Sequence, residues 1–314
     1  MTADIFRAGS NAASDIVRKR LRAAADILRA AGVETPQVDA KLLLAEAYNV
    51  EPRDIDKAML LGRGLSEDAH AARRFGSMLT RRAAREPLQY ITGHAPFRFL
   101  DLAVGPGVFI PRPETESVVQ TALDWMRGHA IAQPRVVDLC AGSGAIGLAI
   151  ATELPGSQVW AVEQSPQALV WARRNRDSVL DAATGTPASR QHQYRLIQGD
   201  ATDAATLADL NGTVNAVVTN PPYVPLAHIP EQPEVRDHDP EMALYGGSDD
   251  GLAVPYAILA RSAALLRRGG LLVMEHDIFQ GKSLVECALH GGFATAHTGN
   301  DLTGRPRYLF AIRA

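Results

Sequence analysis

Residues 220–223 read Asn220-Pro221-Pro222-Tyr223 and follow directly on the apolar run Val214–Thr219. The two prolines fix φ and carry no backbone N–H, so this stretch offers the solvent side mainly carbonyl oxygens. Pro222 also pushes Pro221 toward an extended backbone. The Asn220 side chain adds another acceptor oxygen, and Tyr223 adds a flat ring. A planar NH₂ group, as in a carboxamide or a nucleobase, has two N–H donors and a flat π system. Asn220, Pro221, Pro222 and Tyr223 are therefore candidate catalytic and substrate-binding residues for chemistry on such a nitrogen. In isolation the tetrapeptide also reads as a plain turn, because Asn-Pro is a common turn dipeptide. The rest of the chain must decide.

A second constellation lies upstream. Val136-Val137-Asp138-Leu139-Cys140-Ala141-Gly142-Ser143-Gly144-Ala145-Ile146-Gly147 sets a glycine-rich turn between an apolar strand and a helix. Glycines allow positive φ and close approach of the backbone to a ligand. Glu163 ends the next strand, where a carboxylate can grip two ribose hydroxyls. Asp200-Ala201 follow the third, where an acid can accept from an adenine amino group. The candidate cofactor-binding residues are Asp138, Cys140, Ala141, Gly142, Ser143, Gly144, Glu163, Asp200, Ala201 and Asn220. Gly142-x-Gly144-x-x-Gly147 also fits the dinucleotide fingerprint, with an acid about 20 residues on. Three features favour S-adenosylmethionine. Asp138 stands where an acid suits a cationic amino acid moiety and would repel a pyrophosphate. The glycine unit begins well into the chain, after a separate domain. The fourth strand ends in Asn-Pro-Pro-Tyr, which serves methyl transfer and has no task in hydride transfer.

The elements that must position these residues are legible from periodicity. From Glu116 onward strands and helices alternate: strands over Arg135–Leu139, Gln158–Val162, Tyr194–Ile197, Val214–Thr219, Gly270–Glu275 and Tyr308–Ile312, with helices from Ala145, over Pro166–Arg176 and over Ala257–Leu266. That alternation predicts an α/β, Rossmann-like domain with a mainly parallel sheet covered on both faces. Such a sheet binds ligands at the carboxyl ends of its strands. Before it, Ser14 to Gln89 reads as helical. Ile16, Leu21, Ala24, Ile27, Leu28 and Ala31 recur at helical spacing, Leu42–Leu44 and Ala47 continue the pattern after Pro36, and a third helix spans Ser66–Arg85 with Ser66 as N-cap. Residues 1–14 are small and polar and read as frayed. Arg81, Arg82 and Arg85 read as a solvated helix face, with an acidic partner as the alternative. Tyr90–Gly93 and Phe97–Val104 carry aromatic and β-branched residues broken by Gly and Pro, the pattern of a hairpin-like linker. The expected domains are 1–88 helical, 89–115 β-hairpin linker and 116–314 methyltransferase.

Composition narrows the class. The chain has 314 residues, 46% hydrophobic and 21% charged, the make-up of an ordinary globular protein of about two domains. A net charge of −3 gives no basic field, so no direct nucleic-acid partner is expected. The N-terminus lacks an apolar signal region, and no run approaches a membrane span. Cys140 and Cys287 form no disulfide framework and read as packing residues, so a cytoplasmic location is expected. His228, His238, Asp239 and His276 lack tight metal-ligand spacing, so no metal is expected.

With these motifs placed, the chain resembles the HemK-type glutamine N5-methyltransferases, and among them the release factor methyltransferases. The resemblance runs nearly end to end. It is carried by Glu86–Gly93, Phe109-Ile110-Pro111-Arg112-Pro113-Glu114-Thr115-Glu116, Asp138–Gly147, Asn220–Tyr223, Pro240–Leu252 and Asp301–Arg307, in that order. It implies a seven-stranded sheet, S-adenosylmethionine as cofactor, a monomer, and methylation of the glutamine amide in the Gly-Gly-Gln segment of a peptide chain release factor. The helical domain, which carries no catalytic motif and adjoins the site through the hairpin linker, is expected to dock the substrate. The chain departs from the family where Cys140-Ala141 replace a Gly-Thr pair, where Glu163 replaces Asp, and where Glu275-His276-Asp277 replaces a Glu-x-Gly strand end. Two other acceptors remain open. One is a ribosomal protein glutamine; the Ile110–Glu116 loop and the Glu275-His276 strand end look closer to the release factor branch. The other is adenine N6 of DNA, against which stand the acidic charge and the lack of a base-reading domain. A non-catalytic binding module is a third reading, opposed by the intact tetrapeptide beside an intact cofactor turn.

Overall fold

The computed structural model describes residues 6–7, 11–184 and 193–314. They divide into two units: the described residues up to Gly93 together with Glu231–His238, and His94–Pro230 together with Asp239–Ala314.

The first unit is built from helices broken by proline and glycine. Strand β1 (Phe6–Arg7) precedes α1 (Asn11–Ala30), α2 (Pro36–Tyr48) and α3 (Pro52–Leu60). Strand β2 (Gly64–Leu65) pairs antiparallel with β1 and leads to α4 (Ala69–Ala83) and α5 (Leu88–Thr92). Of the 1–14 segment expected to fray, residues 1–5 and 8–10 lie outside the described residues, while Phe6–Arg7 pairs and α1 begins at Asn11. Pro36 and Pro52 open their helices, where a missing N–H costs no hydrogen bond. The core gathers Val17, Ala24, Leu28, Leu43, Leu44, Ile55, Phe75 and Met78. The buried stripe of α1 is rotated from the expected one: Val17 is buried, while Ile16 and Ile27 are exposed. Asp68 caps α4, its Oδ1 accepting from the His70 and Ala71 N–H groups, and Ser66 lies outside the helix. Residues 90–92, expected as extended, form a helical turn that ends on Gly93 at φ +84°.

The expected solvated arginine face is largely absent. Arg82 is buried, and its Nε donates to Asp39 Oδ2 at 2.7 Å while its Nη1 donates to Glu234 Oε1 at 2.7 Å. Arg85 forks onto both Glu234 oxygens at 2.7 Å. Burial alone would raise the Glu234 carboxyl; the two guanidiniums overcome it and hold it down at about 2. The acid that neutralises these arginines comes from a segment about 150 residues later in the chain, which helix periodicity cannot reveal.

The second unit opens with a hairpin, β3 (His94–Phe97) and β4 (Leu100–Ala103), and α6 (Thr115–Gly128). Then come β5 (Arg135–Leu139), α7 (Ala145–Glu153), β6 (Gln158–Glu163), α8 (Pro166–Thr184), β7 (Tyr194–Gln198) and β8 (Val214–Thr219). The chain closes with α9 (Ala253–Leu265), β9 (Leu266–Glu275), α10 (Gly281–His290), β10 (Phe293–Asn300) and β11 (Pro306–Arg313). The sheet order is β10-β11-β9-β8-β5-β6-β7, with β5 to β9 parallel and β10 and β11 antiparallel additions. Alternate strand residues feed two cores. Val136, Val159 and Val218 pack under α6 and α7, whereas Val137, Val162 and Val217 pack under α9 and α10. Burial on both faces explains the unbroken apolar runs of the central strands. Strand β10, which the periodicity did not mark, is an edge strand with only Phe293 buried.

Replacing Arg82 with Ala strips Asp39 and Glu234 of a buried partner. The helical unit should lose about 3 kcal/mol of unfolding free energy, read from the urea transition of that unit; an unchanged transition would show that water compensates both acids.

Candidate active site

The chain passes from β5 to β6 and β7 on one side, then crosses to β8 on the other. Strands β5 and β8 therefore meet where the strand order reverses, the place where open α/β sheets form a crevice. Leu139 pairs with Thr219, and the Thr219 hydroxyl donates to the Leu139 carbonyl. This registers the glycine turn beside Asn220.

A cavity of about 590 Å³ opens there. One wall is the turn, with Cys140, Ala141, Gly142 and Ser143; another is the strand ends carrying Glu163, Asp200 and Ala201. Asn220 and Pro222 form part of the lining beside Thr115. Phe109 and Pro111 face it on one side and Pro240–Ala243 on another. Arg112, stacked 4.7 Å from the Phe109 ring centroid, pairs with buried Asp239 and joins those two sides. The lining contains three acids, Glu163, Asp200 and Glu241, and no Lys or Arg.

The turn is held from below. Cys140 takes φ +64°, and Gly142 and Gly144 also have positive φ. The Asn175 amide, on α8, donates to the Ser143 carbonyl at 2.9 Å and exchanges bonds with Ala103 of β4. Glu163 accepts from the Gly142 N–H and the Ser165 N–H, each at 2.7 Å. Burial raises its pKa, and these backbone donors oppose the rise. Burial also pushes the Cys140 thiol far up, which keeps it protonated.

Four expected site residues sit elsewhere than on the cavity surface. Asp138 is fully buried beneath the turn, because its side chain points to the α7 face of the sheet. Its Oδ2 accepts from the Gly147 N–H at 2.9 Å, and burial raises its pKa to about 8 despite that donor. Through that bond it props the turn, and its Oδ1 has no hydrogen-bond partner among the described residues. Gly144 faces inward: an added Cβ would meet the Tyr194 hydroxyl and Leu148. The Pro221 residue is buried, leaving Pro222 at the lining. Tyr223 turns away from the lining, and its hydroxyl donates to Glu275 Oε1 at 3.0 Å.

That last bond belongs to a network that the sequence does not disclose. Asn220 Nδ2 donates to Thr115 Oγ1 at 3.3 Å, and the Thr115 hydroxyl donates to Glu275 Oε2 at 2.6 Å. Thr115 and Glu275 are buried, and burial raises the Glu275 pKa against the pull of Thr115, Tyr223 and Arg307. Gln280 donates to the Tyr223 carbonyl at 2.8 Å and to the Asp250 carbonyl at 3.0 Å. Asn175 and Gln280 are isolated polar residues in helical text, and nothing in their sequence neighbourhood points to the site. Thr115 lies inside the Phe109–Glu116 motif and was the one detectable signal.

The family models give the context. The model described as "PrmC N-terminal domain" matches residues 20–93, and "Conserved hypothetical protein 95" matches residues 88–234. The chain is 61% identical over 285 residues to a release factor glutamine methyltransferase of Bifidobacterium longum, covering 91% of this chain and 95% of that protein. The chain belongs to the release factor glutamine methyltransferases. A member from Streptomyces coelicolor is 44% identical, covering 90% of this chain and 93% of its own. A 4-amino-L-phenylalanine/4-methylamino-L-phenylalanine methyltransferase of Streptomyces pristinaespiralis is 37% identical, with 86% of each chain covered.

As a release factor glutamine methyltransferase it is an enzyme whose methyl donor is S-adenosylmethionine. The residues present fit that molecule. An acid-lined cavity without Lys or Arg suits a sulfonium cation and opposes a dinucleotide pyrophosphate. Among the described residues no group of three His, Cys, Asp or Glu gathers to hold a metal, and no helix is long and apolar enough to cross a membrane.

The Asn220–Tyr223 segment beside this cavity depends on one close backbone approach. Gly251 has φ +72°, and an added Cβ would overlap the Tyr223 carbonyl. Gly251→Ala should displace the tetrapeptide and lower turnover by about 10²-fold, with S-adenosylmethionine affinity retained. Paired kinetic and calorimetric measurements check this, and equal losses in both would place the damage in the cofactor wall instead.

Proposed function

We propose that this enzyme methylates the side-chain amide nitrogen of the glutamine in the Gly-Gly-Gln segment of a peptide chain release factor. The observation that carries the reading is the placement of Asn220 and Pro222 in an acid-lined cavity beside the glycine turn. S-adenosylmethionine, when bound, supplies an electrophilic methyl on a sulfonium sulfur. Glu163 would accept from ribose hydroxyls and Asp200 from the adenine amino group, while Cys140, Ala141, Gly142, Ser143 and Ala201 supply backbone and surface around them.

An amide nitrogen is a weak nucleophile because its lone pair is shared with the carbonyl. The Asn220 side-chain oxygen and the Pro221 carbonyl accept its two N–H groups, which aims the nitrogen and stabilises the positive charge that grows on it. Pro221 is buried beside the lining, and Pro222 borders the substrate. Tyr223 acts from behind, holding the tetrapeptide through Glu275. No base needs to act before methyl transfer, since the product amide sheds its proton afterwards to water. We assign substrate docking to the helical unit, with the enzyme a cytoplasmic monomer.

Incubating the enzyme with methyl-labelled S-adenosylmethionine and purified release factor, ribosomal proteins or DNA tests the acceptor. Label should enter the release factor and vanish when its Gly-Gly-Gln glutamine becomes alanine; label in DNA or a ribosomal protein would overturn the reading. Asn220→Ala should cut turnover by roughly 10²-fold or more with cofactor binding intact. Because burial raises the Glu163 pKa, acidification protonates it sooner than an ordinary glutamate. Cofactor affinity should therefore weaken already on mild acidification, and Glu163→Gln should bind weakly at every pH with that dependence flattened, as titration calorimetry would read.

A further inference from the structure

We propose that Glu275, acting through Thr115, determines which way round the Asn220 amide stands, so that its oxygen and not its NH₂ faces the substrate. The proposal rests on the role of Asn220 given above and adds two positioning residues to it.

The argument is a count of donors and acceptors. Asn220 presents an oxygen on one side of its amide and an NH₂ on the other, and the two ends have nearly the same shape. Shape alone therefore cannot choose between the two orientations; a fixed partner must. That partner is Thr115 Oγ1, 3.3 Å from Asn220 Nδ2. A hydroxyl is itself ambivalent, since it both donates and accepts. If its proton pointed to Asn220, the amide would turn its oxygen to Thr115 and its NH₂ to the cavity. Two NH₂ groups, one from the enzyme and one from the substrate, would then face each other.

Glu275 removes the ambiguity. Its carboxylate accepts and does not donate. It lies 2.6 Å from Thr115 Oγ1, a short charge-assisted contact that takes the single hydroxyl proton. Thr115 is left with only lone pairs for Asn220, so the NH₂ must turn to Thr115. The second carboxylate oxygen is occupied by the Tyr223 hydroxyl at 3.0 Å, which fixes the other end of the same tetrapeptide. Glu275 is 2% exposed and Thr115 is 4% exposed, so water cannot easily substitute for either partner. The strand end of β9 thus sends polarity to both Asn220 and Tyr223. It also gives Glu275 a task distinct from that of Asp138, another buried acid, whose Oδ2 accepts from a backbone N–H.

Glu275→Gln is the informative substitution, because it keeps the shape and introduces a donor. Its NH₂ can donate to Thr115, whose proton then swings to Asn220 and inverts the amide. Four variants should be compared: Glu275→Gln, Thr115→Val, Thr115→Ser and Asn220→Ala. Each is assayed for turnover on a Gly-Gly-Gln peptide, for S-adenosylmethionine affinity, and for peptide affinity in the presence of S-adenosylhomocysteine. Glu275→Gln should lose about 10²-fold in kcat and bind the peptide more weakly, with cofactor affinity unchanged. Thr115→Val should lose about tenfold or more, and Thr115→Ser, which restores the hydroxyl, should recover to within about threefold. Wild-type turnover in Glu275→Gln, equal impairment of the Ser and Val variants, or a matching loss of cofactor affinity would each overturn the proposal. Should Glu275→Gln not fold, the Val and Ser pair decides. If Asn220→Ala itself turns over normally, the fault lies in the reading of Asn220; if it is inactive while Glu275→Gln is active, only the orientation mechanism fails.

Discussion

The pairing of β5 with β8 is the contact on which the rest of the site depends. Among the described residues, it is where two parallel neighbours on either side of a reversal of strand order end side by side. One carries the glycine turn and the other carries Asn220. A slip of one residue in that pairing would send Asn220 to the opposite face. The register is therefore tied twice, by the ladder itself and by the Thr219 hydroxyl on the Leu139 carbonyl. Two loops that must cooperate in one reaction are held at one spacing by the sheet and not by contact with each other.

Charge is arranged around this spacing with a clear division. The acids that line the cavity are Glu163, Asp200 and Glu241, and they face a space that takes a cation. The acids beneath it are Asp138 and Glu275, both buried; Glu275 gives both oxygens to hydroxyl donors, while Asp138 gives one to the Gly147 N–H and leaves Oδ1 without a partner among the described residues. Burial raises the pKa of both, yet their neighbours differ. Asp138 meets one backbone N–H, so it tolerates protonation. Glu275 meets two hydroxyl donors with Arg307 nearby, which favour its ionised form. A buried carboxylate is costly unless such donors surround it, and here they are the groups that the active site needs to orient.

Much of this was legible in the text of the chain. Central strands gave themselves away as unbroken apolar runs, and the glycine turn and Asn-Pro-Pro-Tyr marked their carboxyl ends. The burial of Asp138 was not legible, because spacing places it close to the turn without saying which face of the strand it occupies; alternation from Val137 and Leu139, both in the core under α9, puts it on the other side. The place of Tyr223 was hidden for a similar reason, since a ring next to Asn220 invites a stacking reading, and it lies off the cavity lining. Its phenol is instead claimed by a glutamate 52 residues away. Thr115 escaped because a single threonine has no periodic signature, and its importance arises only when β8, β9 and α6 converge. Long-range polar pairs of this kind follow from topology, which local sequence does not encode.

The same limit governs the helical unit. Arg82 and Arg85 looked like surface charge because their acid, Glu234, lies beyond the tetrapeptide in the chain. The segment Glu231–His238 packs with the helical unit although it is inserted between Tyr223 and the cavity residue Pro240. The chain therefore enters that unit twice. Removing the N-terminal residues would strip Glu234 of both guanidiniums. Loss of activity in such a truncation would mix the proposed docking role with the loss of this cluster. Substitutions on exposed helix positions, such as Ile16 or Ile27, leave the Asp39–Arg82–Glu234 cluster in place and separate the two effects.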